Sequence, residues 1–386
     1  MKTIRIELSS DVDMEEFIKV IGFASESISD YKTENNLVMI DVEDNANEDH
    51  ISTAVKNLAE KYVSARRIEK NIYQNRKEIE RYYKEFGSIY YFDEGMASLS
   101  GVSLFLYRYF ENIFESKLKE IAGQMECNIV TKLFPVLLPV SCYKKTGYLK
   151  RSPQYAIFCC SAIENLDLLH NINDLDENEY KEIIDHPSYA LSPSACFHVY
   201  EEFKNKILNK NTIVTFTQSV FRNEGRFNFT EFGRMRDYHV REIVFIGDED
   251  FVTFSRERML DITKSFIQEI DLDAKIQIAS DPFILPEMQK FKKIQTIDKS
   301  KYELQISYEK GKYISAASFN LHGNAFSHPF AFSVKDKKTV SGCIGYGLER
   351  LVFAFLSQYG ENHENWPKSI KQAYILENGG TEQSGL

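Results

Sequence analysis

The chain has 386 residues, 43% hydrophobic and 27% charged, with a formal net charge of −10. That length is the usual size of roughly two to three domains with a sizeable core, and the acidic balance argues against nonspecific nucleic-acid binding. No apolar run approaches the ~18 residues of a membrane span, and the opening MKTIRIELSSDVD lacks a signal-peptide core, so a cytoplasmic protein with no membrane partner is expected. The six cysteines form no CxxC pair, so reduced thiols are expected and any metal site must be assembled from distant residues.

Residues 1–62 read as a small α/β domain. Ile4, Ile6 and Leu8 alternate as in a strand, and Val38 to Val42 read as another. Between them Phe17, Ile18, Ile21 and Ala24 recur at helical spacing, and Ile51, Val55, Leu58 and Tyr62 do so afterwards. This stretch carries 14 acidic and 6 basic residues, a net −8. Residues 63–97 read as a basic linker helix and connection. Within them, 64–86 has 7 basic against 4 acidic residues, with Ile68, Ile72, Ile79, Tyr83 and Phe86 on one broad side. A solvated helix is the first reading, and a docking face for an acidic partner the second.

The remainder, 98–386, reads as one catalytic domain. A long amphipathic helix is expected over 99–121, then a strand over 132–140. Strand-like stretches follow at 156–160, 212–221, 239–247, 275–279, 302–308, 313–319 and 330–334. Few βαβ alternations occur, so an α+β fold with a mainly antiparallel sheet flanked by helices is expected. The tail 377–386 reads as frayed.

Two segments hold the chemistry. The first runs Phe221-Arg222-Asn223-Glu224, a polar loop, then Arg234 to Glu242, with arginines at 222, 226, 234, 236 and 241. Guanidinium forks suit phosphate and carboxylate oxygens. The second, Gly342-Cys343-Ile344-Gly345-Tyr346-Gly347-Leu348-Glu349-Arg350, is a glycine-rich strand entering an apolar helix. Glycine admits close backbone approach, and a helix start favours anions.

In this order and spacing the pair resembles motifs 2 and 3 of class II aminoacyl-tRNA synthetases, over roughly residues 98–370. The 99–140 helix and strand, with Pro135 and Pro139, stand where motif 1 forms that family's dimer interface, so a homodimer is implied. By position the resemblance makes Arg222 the grip on the α-phosphate and amino-acid carboxylate. It makes Glu224 the reader of the adenine amino group, Tyr238 the aromatic stacked on adenine, and Arg350 the γ-phosphate clamp. Arg234 joins them at ATP.

Cys196, Glu242 and Cys343 resemble the Cys/Glu/Cys zinc set of two relatives. These are the archaeal-type seryl-tRNA synthetases and the amino acid:carrier protein ligases. Such a set leaves one tetrahedral position open for a substrate amino group. His322 stays outside the ligand set. ATP is expected with Mg2+, although 311–315 lacks the acidic residue that helps hold magnesium in seryl enzymes; Glu303 is the nearby candidate.

The leading reading is therefore a zinc-dependent ligase that makes the adenylate of a small amino acid, such as glycine, alanine or serine. It would pass the aminoacyl group to the phosphopantetheine thiol of an acyl or peptidyl carrier protein. No tRNA is expected, because the leading domain is acidic. The alternatives are a divergent zinc-dependent seryl-tRNA synthetase and a non-catalytic paralogue that senses a ligand.

Overall fold

The computed structural model describes residues 1–62, 71–123, 125–170, 172–176, 179–225, 227–229, 232–281, 283, 285 and 288–379. An eight-stranded sheet organises the larger part. Its order is Asn71–Asn75, Ala274–Ile278, Lys301–Glu309, Lys312–Gly323, Val340–Gly347, Asp237–Gly247, Thr212–Phe221 and Asn128–Thr131. Every pairing is antiparallel except the last, where Thr212–Phe221 meets Asn128–Thr131 in parallel. The α+β, antiparallel-rich architecture read from the sequence is the architecture observed.

Residues directly opposite in a ladder share a face. Tyr346 stands opposite Arg241 and Ala317, and this face meets the helices. Gly101–Ala122 and Glu249–Glu269 reach it through Phe114 and Thr263. Phe114 stacks on Tyr346 at 3.7 Å between ring centroids, and Tyr346 Oη lies 2.8 Å from Thr263 Oγ1. Phe110 ties the layer together, edge-on to Phe266 and Phe355. The helix Leu348–Tyr359 is buried on every side, its apolar residues in the core and its Glu349 and Arg350 turned to polar partners. The opposite face of the sheet carries the polar groups.

Residues 1–62 have their own core. Lys2–Glu7, Leu37–Val42 and Ile28–Glu34 form a three-stranded antiparallel sheet in that order. Phe17, Ile21, Val38, Ile40 and Val55 are fully enclosed beneath it. The helical spacing around Phe17 resolves into the helix Met14–Ile18 and a 3-10 turn Ile21–Phe23, and the second helix is Glu48–Ala59. The strand Ile28–Glu34 escapes sequence reading because only Ile28 of its seven residues is buried.

Two expectations are corrected. The basic helix is absent from the described part of 64–86, of which residues 64–70 lie outside the described residues. Asn71–Asn75 is instead an edge strand on Ala274–Ile278, and 76–86 runs without helix. Its side chains find partners one at a time along the core. Lys77 Nζ donates to Tyr359 Oη (2.7 Å), Tyr82 Oη lies 2.7 Å from Ser307 Oγ, and the Tyr83 amide donates to the Ser357 carbonyl (2.8 Å). An extended strap satisfies these spaced contacts; its apolar spacing mimics a helix. The strand expected over 132–140 is only Leu137–Pro139, since Pro135 has no N–H to give a ladder. Residues 380–386 of the tail lie outside the described residues. Among the described residues no helix is long and apolar enough to cross a membrane.

The stacked Phe114 and Tyr346 pair joins the long helix to the centre of the sheet. Phe114→Ala should cost about 3–5 kcal/mol, read as a fall in the denaturant midpoint with an unchanged m-value.

Candidate active site

The site lies on the polar face, and strand register builds it. Tyr238, Val240, Glu242 and Val244 alternate onto that face from Asp237–Gly247. Gly347, Gly345 and Cys343 stand opposite Val240, Glu242 and Val244. The strand Lys312–Gly323 adds Ser318 opposite Gly345 and Asn320 opposite Cys343. Gly345 is required by its neighbour: a Cβ there would lie 2.8 Å from Glu242 Oε2 and 2.9 Å from Val240 Cγ1.

Arg222 follows the end of Thr212–Phe221. Its amide donates to the Arg236 carbonyl (2.8 Å), and its Nε donates to the Pro193 carbonyl (3.0 Å). Its guanidinium carbon is 5.8 Å from the ring centres of both Tyr155 and Tyr238. The Phe221 amide also donates to the Ser192 carbonyl (2.9 Å). Residues 192–196 are thereby laid along the strand end, delivering Cys196 to the site.

Glu224 is buried at 4% exposure and engaged by two arginines. Arg234 Nη1 donates to Oε2 at 3.0 Å, and Arg350 Nη2 lies 3.8 Å from Oε1. Arg350 is held by the Gly233 and Ser315 carbonyls, both at 3.2 Å, and its guanidinium carbon sits 4.7 Å from the Tyr238 ring centre. Its Nη2 is buried without a hydrogen-bond acceptor, which suits an anion. Arg222, Glu224, Arg234, Tyr238 and Arg350 therefore converge.

Cys196, Glu242 and Cys343 converge beside them. Their two sulfurs and a carboxylate oxygen lie within 4.8 Å of one another, and all three residues are buried. Burial pushes the Glu242 carboxyl up to about 8. A hydrogen bond with Cys196, then burial and Glu242, hold the Cys343 thiol well above the usual thiol range. Glu242 and Cys343, packed together out of water, resist ionisation, and a divalent cation would reverse that preference. Two sulfurs and one oxygen fit zinc with one position left open. Asn320 Nδ2 and His322 Nε2 each lie 3.6 Å from Cys343 Sγ.

Not every candidate reaches the site. Arg241 points to the helix face, where Nη2 lies 3.0 Å from Glu115 Oε2, so it braces the long helix. Arg236 stacks on Phe229 at 3.9 Å and donates to the Glu94 carbonyl (3.0 Å). Arg226 lies outside the described residues. Glu303 is paired with Lys301 at 3.1 Å. Sequence reasoning missed Asn320 as a neighbour of the cysteine cluster and left His322 aside. Their alternation with Ser318 was the available signal, but register with Cys343 was needed to use it.

No family model matches the chain. It is similar to the type-2 serine–tRNA ligase of Methanococcus maripaludis, 27% identical over 283 residues, 69% of this chain and 54% of the relative. The type-2 serine–tRNA ligase of Methanocaldococcus jannaschii is 26% identical over 283 residues, 69% and 53% of the two chains. The chain thus spans about half the length of these curated relatives. Among solved structures it resembles the M. kandleri seryl-tRNA synthetase in complex with A. aeolicus tRNASec. The TM-score there is 0.72 at 20% identity, covering 100% of this chain and 80% of that one. The Pyrococcus horikoshii seryl-tRNA synthetase complexed with ATP gives 0.53 at 11%, covering 75% and 60%. The chain is class II aminoacyl-tRNA synthetase-like, homologous to the archaeal type-2 seryl-tRNA synthetases.

This corrects the expected partner. A carrier protein without tRNA rested on a basic docking helix and an acidic leading domain. The described residues contain no such helix. The synthetase whose fold is shared along the whole of this chain, acidic leading part included, was solved with a tRNA bound.

A flanking ion pair ties motif 2 to motif 3. Glu349 accepts from the His239 amide (2.8 Å), and its Oε1 lies 2.7 Å from His239 Nδ1. That hydrogen bond raises the His239 pKa above its ordinary 6.5, although burial opposes the shift. The pair's contribution to stability is therefore full below about pH 6.5 and is lost as pH rises through the higher folded value. In NMR titration His239 should titrate above 6.5, and Glu349→Gln should bring its midpoint down while flattening stability across that window.

Proposed function

We propose that this chain activates serine with ATP and transfers the seryl group to a tRNA, as a divergent zinc-dependent seryl-tRNA synthetase. The observation that carries this reading is the convergence of a three-arginine, one-carboxylate, one-tyrosine cluster with a buried Cys/Glu/Cys set on one sheet face. The serine–tRNA ligases similar to the chain supply the choice of amino acid and acceptor.

The reaction needs fixed positive charge more than a general base. A serine carboxylate oxygen bonds to the α-phosphorus, the bond to the bridging α–β oxygen breaks, and pyrophosphate leaves. The tRNA terminal hydroxyl then attacks the acyl carbonyl, and AMP leaves. Arg222, anchored to Pro193, faces the charge that develops on the α-phosphate. Arg350 stacks so closely on Tyr238 that no ring fits between them, so adenine entry moves Arg350 outward. That motion brings its unsatisfied Nη2 toward the phosphates. Glu224, steadied by Arg234, presents a carboxylate oxygen to the adenine amino group.

Cys196, Glu242 and Cys343 would hold the zinc. When bound, it offers a Lewis-acid position to the amino group of serine, which selects a free amino acid.

Serine-dependent ATP–pyrophosphate exchange tests the reading, followed by serylation of a tRNASer transcript. Arg350→Ala should lower exchange about 10²-fold or more. Gly345→Ala, which drives a methyl into Glu242, should lower bound zinc in metal analysis and raise the serine KM. Zinc chelation should abolish exchange. Exchange with no amino acid, or unaffected by chelation, would overturn the reading.

A further inference from the structure

The leading α/β part does not merely precede the candidate site. It grips the loop that carries Glu224. Asn228 lies four residues beyond Glu224, and its carboxamide nitrogen reaches two carbonyls. Nδ2 donates to the Glu224 carbonyl at 2.6 Å and to the Lys19 carbonyl of the leading part at 3.0 Å. One NH2 group has two hydrogens, so this bridge uses its whole donor capacity.

Two interlocks flank the bridge. Gly22 sits so close to Phe227 that a Cβ there would lie 2.7 Å from the ring. Gly225, at φ +87°, is matched by Phe23, whose ring would lie 2.9 Å from a Cβ. Phe227 then enters the leading part and meets Tyr31 edge-on at 5.4 Å. From the other side the Asn223 amide donates to the Tyr155 carbonyl at 3.3 Å, and the Glu224 side chain meets Arg234 and Arg350. A cavity of about 360 Å³ opens between loop and leading part, lined by Ile18, Glu26 and Asn223 among others. The contact is therefore a pair of hooks over a gap, and not a continuous core. Such a joint transmits displacement without locking it.

We infer that Asn228, with Phe227, is a positioning residue that makes the placement of the adenine-reading Glu224 depend on the seating of residues 1–62. The inference rests on the ATP-site reading above. The bridge holds the Glu224 carbonyl, so the influence of the leading part runs through the loop backbone. Anything that shifts the leading part, an RNA bound to it for example, changes the affinity for ATP. A linkage of this kind is reciprocal for binding.

The test uses the full chain and three variants: Asn228→Ala, Asn228→Asp and Gly22→Ala. Asn228→Asp keeps the size but points a carboxylate at two carbonyls. Gly22→Ala lies outside the ATP site and presses on Phe227. Circular dichroism and thermal melts confirm that each variant is folded. Two readouts are taken: the Kd for ATP with the KM for ATP and serine in exchange, and amide hydrogen exchange over 222–236.

All three variants should raise the ATP Kd and KM about 5–10-fold, with the serine KM and kcat within about twofold, and should speed hydrogen exchange in the loop. Asn228→Asp should be at least as severe as Asn228→Ala. Unchanged ATP parameters in folded variants, or equal losses in ATP and serine KM, would overturn the inference while leaving the synthetase reading intact. A wild-type chain that fails to bind ATP would overturn the synthetase reading itself. Unchanged hydrogen exchange would then overturn the mechanical link independently.

Discussion

The register between Asp237–Gly247 and Val340–Gly347 is the constraint on which the rest depends. With Glu242 opposite Gly345 and Val244 opposite Cys343, the carboxylate and the thiol emerge on one face beside Tyr238. A slip of one residue would send Glu242 into the helix layer and Arg241 into the site. The glycine opposite Glu242 supplies space that no other residue leaves. The arginine on the other side is fixed by Glu115 and Thr217, so the helix face itself opposes a slip. The chemistry of one face and the packing of the other thus specify the same pairing.

Both faces bury charge, and neither satisfies it fully. On the helix side Arg241, at 4% exposure, lies 3.8 Å from Glu111 and 3.0 Å from Glu115, with its Nε and Nη2 buried and making no hydrogen bond. On the site side, opposite charges are close but incompletely matched. Arg350 keeps a nitrogen without an acceptor, and Glu242 sits among thiols with burial raising its pKa. A protein that only needed stability would fill this face with apolar side chains of similar volume. Under the proposed reading, phosphate at one end and a cation at the other would relieve the mismatch. A buried carboxylate packed against two thiols is what distinguishes this face from a salt-bridged sheet.

Much of this was legible in the sequence, and the limits have physical causes. Motif strands read clearly because Thr212–Phe221 and Val340–Gly347 are central and buried, and their β-rich runs are bounded by glycine and charge. Seven of the eight site residues (Arg222, Glu224, Arg234, Tyr238, Glu242, Cys343 and Arg350) fall within two short segments and came from the family resemblance those segments carry. What failed depended on contacts far along the chain. The stretch 71–86 has helical apolar spacing, but Lys77, Tyr82 and Tyr83 satisfy partners at 359, 307 and 357. Ile28–Glu34 is an edge strand with little to bury. Asn320 enters the cysteine cluster, and Asn228 bridges to Lys19, through register and tertiary contact that a linear pattern does not encode.

Net charge misled for a related reason. A sum of −8 over residues 1–62 counts each acid as a free surface charge. Several are already committed. Asp13 and Asp44 accept from the Glu16 amide and the chain's own amino terminus, and Glu48 pairs with Lys2. Glu16 is claimed twice. Burial disfavours its charge, yet Lys19 and Lys292 hold its carboxyl well below the usual range, and Lys292 belongs to the other core. Part of the acidity of residues 1–62 is therefore met by charges outside that sum, the amino terminus and Lys292 of the rest of the chain. The field a polyanion meets is set by the arrangement of what remains, and a composition sum discards that arrangement. The seam formed by Lys292 and Glu16 lies beside the loop contact at Lys19 and Gly22, so the charges that bias the composition also help fix the joint to the loop that carries Glu224.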